Sequence, residues 1–364
     1  MKFVIFGLTI SSSWGNGHAT LWRGLCKSLS RLGHDVVFFE RDVPYYAGAR
    51  DCDYCPGVEL ILYPDWNSVI RQAGVHVSDA DVVVVTSYCP NAIEATELAV
   101  EKCRGLLAFY DLDTPVTLSR VRNRERVDYI GPRGLADFDL VLSFTGGAAL
   151  TALTSELGAR RVAPLYGHVD PAVHRPVAAQ AHYAADLSYL GTYSNDRQAT
   201  LEQLFVQPAR RRPQQRFLIG GAQYPAEFPW SPNIYFVRHL PPSEHPAFFA
   251  SSRLTLNVTR ASMAQAGWCP SGRLFEAAAC RTAVLSDWWP GIEEFFTPGS
   301  EILITSREEE TLAALDLDPA EIARIARAAH ERVLDQHTSD HRAAELCRHI
   351  AASAPRSAPE LLEA

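Results

Sequence analysis

Ser271-Gly272-Arg273-Leu274-Phe275-Glu276-Ala277-Ala278-Ala279-Cys280, followed after Arg281-Thr282 by Ala283-Val284-Leu285-Ser286, reads as a helix delivered straight into a buried strand. Ser271 is an N-cap residue type, and the run Ala277–Ala279 lets a helix lie close on a sheet. Ala283–Ser286 is short and apolar and ends at Asp287-Trp288-Trp289-Pro290-Gly291, a turn. The N–H groups opened at Ser271 and Gly272 suit a diphosphate, and Arg273 adds a bidentate cation. One turn further in, Glu276 can accept from two vicinal ribose hydroxyls. A Ser-capped helix with a surface glutamate accounts for the same letters without a ligand.

Outward from this unit the same alternation repeats. Leu187–Gly191, Arg216–Gly220, Asn233–Phe236, Leu254–Val258 and Glu301–Ile304 are further strand candidates in the second half. The first half offers Phe3–Phe6, Asp35–Glu40, Glu59–Tyr63, Asp81–Thr86, Gly105–Asp111, Leu140–Ser143 and Arg161–Tyr166, with helical segments such as Ala19–Leu32 and Asn91–Glu101 between them. Uninterrupted apolar runs separated by helices predict parallel strands buried on both faces. The expected fold is therefore α/β, with two Rossmann-like, doubly wound parallel-sheet domains facing a cleft. Tyr166-Gly167-His168-Val169-Asp170-Pro171, with Arg175-Pro176 behind it, breaks the pattern. The expected domains are 1–175 and 176–338, with a helix at about 339–352 packing back on the first domain and a frayed tail over 353–364.

A chain of 364 residues suits two domains at about 150 residues each. Its 47% hydrophobic and 21% charged content excludes a disordered or collagen-like protein. The net charge of −8 argues against a broad nucleic-acid footprint. Only Lys2, Lys27 and Lys102 are lysines among 34 basic residues, a bias that reads mainly as composition, although arginine is the better phosphate partner. No apolar run reaches the ~18 residues of a membrane span, and the N-terminus reads as a strand rather than a signal peptide. Of the eight cysteines only Cys52 and Cys55 form a C-x-x-C. They are expected as reduced thiols in a cytoplasmic protein, and no second close pair completes a zinc site.

Three loops in the first half carry chemistry. Ser11-Ser12-Ser13-Trp14-Gly15-Asn16-Gly17-His18 opens a helix. Gly15 and Gly17 start a dinucleotide fingerprint and Glu40 supplies an acidic residue downstream, but Thr20 stands where the third glycine belongs, so NAD is not expected. His18 suits a general base or a hydroxyl contact, and equally a packing histidine. In Phe109-Tyr110-Asp111-Leu112-Asp113-Thr114-Pro115, Asp111 and Asp113 follow a strand end, fit for proton abstraction or hydroxyl binding, for holding a divalent cation on a nucleotide diphosphate, or for capping the next helix. Phe144-Thr145-Gly146-Gly147 is a strand-to-helix turn. Trp14, Trp22, Tyr45, Tyr46 and Trp66 offer aromatic surface for an acceptor or for a core.

The helix at Ser271–Cys280 resembles the donor-site helix of GT-B glycosyltransferases. Ser12–Thr20, Phe109–Pro115, Pro164–Pro171 and Arg273–Cys280 resemble the CgeB-like (spore maturation protein) glycosyltransferases, over about Phe3 to His341. The resemblance implies that Gly191, Thr192, Arg197, Gly221, Thr259 and Arg260 join Ser271, Gly272, Arg273 and Glu276 around a nucleoside diphosphate sugar. His239 would border the base. It further implies Trp14, Gly15, Asn16 and Gly17 on the acceptor side, with His18, Asp111 and Asp113 as the catalytic candidates. Two departures stand out. Trp268 replaces the earlier of two glutamates spaced eight apart in retaining families, which leaves the stereochemistry open, and Arg281 replaces a glycine.

The function implied is sugar transfer from a UDP- or dTDP-sugar to an unidentified acceptor, without a metal or a further cofactor. A sugar-nucleotide epimerase or a non-catalytic binding protein of the same fold are the alternatives.

Overall fold

The computed structural model describes residues 1–15 and 17–353. Asn16 and the tail from 354 lie outside the described residues. The chain forms two parallel-sheet α/β units. The first comprises Met1–Ser13, His18–Tyr166 and the chain from Arg342, and the second comprises Trp14–Gly17 and Gly167–His341.

In the first unit the strands are β1 (Lys2–Gly7), β2 (Asp35–Arg41), β3 (Glu59–Tyr63), β4 (Val82–Thr86), β5 (Leu106–Asp111), β6 (Leu140–Ser143) and β7 (Val162–Pro164). They lie in the order β3-β2-β1-β4-β5-β6-β7, and every pair is parallel. The second unit holds β8 (Ala185–Leu190), β9 (Phe217–Gly221), β10 (Ile234–Arg238), β11 (Ser252–Asn257), β12 (Ala283–Ser286) and β13 (Leu303–Ile304). Their order is β10-β9-β8-β11-β12-β13, again all parallel. All thirteen strands fall on the apolar runs read from the sequence.

The reason those runs lack alternation is visible in the packing. Val4, Phe6, Val37, Phe39, Val83 and Val85 line one face of the first sheet. Phe3, Ile5, Val36, Phe38, Val82 and Val84 line the other. Both faces are covered by helices, so both parities are apolar. The last helix, Ser339–Ala351, contributes Ala343, Leu346 and Ile350 to that second face. Trp22 is core, 1% exposed, whereas Tyr45 is half exposed and packs edge-on against Tyr46 in the short helix Pro44–Ala47. No described helix is long and apolar enough to cross a membrane.

Each order reverses direction once, between β1 and β4 in the first unit and between β8 and β11 in the second. Loops leaving the carboxyl ends of those strands flank a topological switch point, where open parallel sheets bind ligands.

Candidate functional site

The switch point of the second unit gathers most of the predicted donor residues. Gly191 follows β8 and Asn257 ends β11. Arg273, in the helix Gly272–Ala279, is half-buried and donates from Nη1 to Asn257 Oδ1 at 2.8 Å. Its guanidinium carbon stands 5.2 Å from the centre of the Tyr189 ring. Burial and the nearby Arg197 both disfavour the charged guanidinium, so its pKa is lowered. Asn257 is neutral, and among the described residues no carboxylate hydrogen-bonds to this cation. Such a group is a ready anion site.

Two glycines make the approach possible. A Cβ on Gly191 would stand 2.9 Å from both Arg273 Nη2 and Tyr189 Oη. A Cβ on Gly221, the last residue of β9, would stand 2.1 Å from the Gly191 carbonyl oxygen, so these two backbone segments pass in direct contact. That carbonyl accepts from Tyr224 Oη at 3.0 Å. Arg197 folds back on its own loop, Nη2 donating to the Thr192 carbonyl at 2.6 Å, and its Nε is buried without a hydrogen-bond partner. Ser271 is the N-cap of the Arg273 helix but makes no side-chain cap bond, and nothing lies within 4 Å of a Cβ placed on Gly272. The first turn of that helix is therefore open.

Two predicted residues spend their polar groups locally. Thr259 donates from its N–H and its hydroxyl to Asp287 Oδ1, each at 2.9 Å. Burial pushes the Asp287 carboxyl up to about 6. Arg260 pairs with Asp196 at 2.8 Å. His239 takes a left-handed φ of 50°, donates its N–H to the Gly221 carbonyl at 2.7 Å and packs edge-on against Trp14 at 4.4 Å. Trp14, Gly15 and Gly17, expected with the first domain, group with the second unit. Trp268, in place of a glutamate, donates from its indole to Glu294 at 2.6 Å. In Arg210-Arg211-Arg212, a run that reads as a solvated surface stretch, exposed Arg211 pairs with Glu308 and half-buried Arg212 with Asp316.

Glu276 faces two histidines that the sequence analysis did not single out. His174 Nε2 lies 3.9 Å from Glu276 Oε1, and His245 Nδ1 lies 3.8 Å from Oε2. The two imidazole nitrogens are 3.4 Å apart. Burial pushes both imidazoles down to about 4, so both are neutral near pH 7. The signal in the sequence is weak, because His174 sits in the stretch that reads as a connection and His245 opens the six-residue helix His245–Ala250.

In the first unit, His18, Tyr88 and Asp113 converge at the switch point. The His18 and Tyr88 rings are 5.8 Å apart, and Tyr88 donates to Asp113 Oδ2 at 2.9 Å. Asp113 is the N-cap of the helix Thr114–Arg122, but its side chain makes no cap bond. Burial lowers the His18 pKa while the Asp113 charge raises it, burial prevailing. Asp111 is fully buried, accepts the Asp113 N–H at 3.1 Å on Oδ1 and is pushed up to about 6 by burial.

The loop that ends in His18 is held by carboxylates. Glu40, fully buried at the end of β2, accepts from Thr9 Oγ1, Ile10 N, Ser11 N and Ser11 Oγ at 2.6–3.0 Å. Those bonds occupy the residue that a dinucleotide reading would assign to a ribose. Asp51 holds Ser13 N at 3.0 Å and Arg23 Nη2 at 2.6 Å. The C-x-x-C pair, expected as reduced thiols, is joined as a disulfide between Cys52 and Cys55.

Residues 197–348 match the family model described as Glycosyl transferase-like. No curated protein matches the chain in sequence. Its fold is similar to sucrose-phosphate synthase from Thermosynechococcus elongatus, at 13% identity and a TM-score of 0.69 over 96% of this chain and 99% of that one. It is similar to HepE from Anabaena in complex with UDP and glucose, at 13% identity and a TM-score of 0.69 over 97% and 100%. It is also similar to an alpha-glucosyltransferase in complex with UDP and a 13-mer DNA containing a HMU base, at 13% identity and a TM-score of 0.72 over 96% and 99%. The chain thus has the two-domain parallel-sheet fold of the GT-B glycosyltransferases and carries a glycosyl transferase-like segment across residues 197–348.

Proposed function

We propose that the protein transfers a sugar from a nucleoside diphosphate sugar, with uridine or thymidine as the nucleoside, to an acceptor hydroxyl or related nucleophile. The observation that supports this most is Arg273, a half-buried guanidinium bonded to a neutral amide beside Gly191 and an open helix N-terminus. UDP and UDP-glucose complexes among proteins of the same fold support the choice of donor. In this reading the diphosphate sits against Arg273, Arg197 and the Ser271–Gly272 backbone, and Glu276 accepts from the ribose. As the anomeric bond breaks, negative charge grows on the leaving diphosphate. Fixed guanidinium and backbone donors stabilise it there without a metal on the phosphates.

His18 and Asp113 are the acceptor-side candidates for proton removal. Neutral His18 has a nitrogen able to take the acceptor proton, and Tyr88 orients the Asp113 carboxylate. If the configuration is retained, the departing phosphate takes that proton instead. The CgeB-like assignment belongs to the same proposal.

The test is calorimetry with UDP and dTDP on wild type and Arg273→Ala, followed by incubation with the sugar nucleotides. A ligand with a Kd of ~10 µM raises stability by about 2.7 kcal/mol at 1 mM, well within a thermal-shift measurement. Binding that is lost in Arg273→Ala supports the donor site. Equal affinity in both chains refutes it, and conversion of the sugar nucleotide to an epimer without acceptor refutes transfer.

A further inference from the structure

His174, His245 and Glu276 come from three separate elements, and their ligand atoms all lie within 4.8 Å of one another. The two imidazole nitrogens are 3.4 Å apart, close to an edge of a tetrahedron around one ion, and they face different oxygens of Glu276, His174 Nε2 at 3.9 Å from Oε1 and His245 Nδ1 at 3.8 Å from Oε2. Bonds of about 2.0–2.1 Å to a tetrahedral zinc ion place neighbouring ligand atoms about 3.4 Å apart. The imidazole pair already stands at that separation, and the Glu276 carboxylate must turn and move inward to bring one oxygen to both nitrogens.

We propose that these three side chains form a binding site for a zinc-type divalent cation, with two imidazole nitrogens and one carboxylate oxygen as ligands and the fourth position open.

Each ligand is prepared for that role. His245 Nε2 lies 3.2 Å from the Leu240 carbonyl oxygen, so the ring proton sits on Nε2 and the Nδ1 lone pair points toward His174 and Glu276. An outer hydrogen bond of this kind fixes the tautomer and ring of metal-binding histidines. His174 is 3% exposed and sits on a turn closed by Asp170, whose carbonyl accepts the His174 N–H at 2.9 Å. Glu276 is 13% exposed at its side chain, which leaves the open position accessible from outside. Two nitrogens and one oxygen form a borderline donor set that suits zinc better than magnesium or calcium. Nothing comparable was marked by spacing in the sequence.

The ion does not replace the guanidiniums proposed for the phosphates. It fixes the Glu276 carboxylate one helical turn from Arg273, and only this consequence rests on the donor reading. The site shares Glu276 with that reading, and the two histidine variants separate them because neither histidine is a donor-site residue there.

The test uses the full chain, stripped with chelator and titrated with zinc chloride without nucleotide. One ion per chain is expected, with affinity falling at least 100-fold in His174→Ala and in His245→Ala. Titration of wild type with cobalt(II) is expected to give the intense visible bands of a four-coordinate site. Zinc binding that survives in the double His variant overturns the proposal, as does no binding. If the variants fail to fold, the wild-type cobalt spectrum decides, a weak six-coordinate spectrum or none counting against the site. Wild type that binds UDP but no zinc removes this proposal alone, whereas Arg273→Ala tests the donor reading alone.

Discussion

Arg273 and Asn257 meet at 2.8 Å, a guanidinium from a helix start bonded to an amide at a strand end, 16 residues apart in the chain. The amide orients the cation without cancelling its charge. Arg273→Ala is expected to weaken UDP binding by roughly 10- to 100-fold, the range of a charge-assisted hydrogen bond. Asn257→Asp is expected to be worse for UDP than Asn257→Ala, because a carboxylate there neutralises Arg273. Calorimetry on the three variants measures the order.

Gly191→Ala places a methyl 2.9 Å from Arg273 Nη2 and Tyr189 Oη. The guanidinium must move, so nucleotide affinity should fall at least tenfold with a stability loss of about 1–3 kcal/mol. Gly272→Ala meets no atom within 4 Å and should leave the thermal midpoint nearly unchanged. Any loss of affinity in that variant then reports close approach of the ligand to the helix start.

Asp111 carries its titration above the carboxylate range, at about 6 against 3.8. A raised carboxyl contributes stability that is complete below pH 3.8 and lost as the pH climbs through 6, because charging it in the core costs more than in the unfolded chain. Asp111→Asn, neutral throughout, should gain stability relative to wild type between pH 4 and 7, by on the order of 3 kcal/mol. Denaturant melts across that window check the sign. A difference independent of pH would mean that the group titrates normally.

Tyr88→Phe removes only the hydroxyl bonded to Asp113. Expected are a fold within about 1 kcal/mol of wild type, an unchanged Kd for UDP and a transfer rate at least tenfold lower. An equal rate would place Asp113 outside the proton path.

Glu40→Gln replaces a buried acceptor of four donors by a group with one acceptor oxygen and two donor hydrogens. The amide hydrogens then oppose N–H and O–H groups, and a loss on the order of 3 kcal/mol is expected in chemical denaturation. Faster hydrogen exchange over Ile10–Ser13 would locate the damage in the loop before His18.

The strands were legible one residue at a time. A parallel strand covered on both faces must be apolar at consecutive positions, as Phe3–Phe6 and Val82–Val85 are, and that signal is local. The placement of Arg273 and Glu276 on one helix start was legible for the same reason, since it depends on spacing within two turns. Partners were not. Tyr88 reaches Asp113 across 25 residues and His174 reaches His245 across 71, because strand order decides which loops leave the sheet side by side. Glu40 shows the same division. Its residue type and distance from the glycines suggest a ribose contact, yet the register of β1 on β2 turns its carboxylate into the loop that follows β1. The pattern of hydrophobicity determined the elements, and the order in which they pack determined which polar groups share a site.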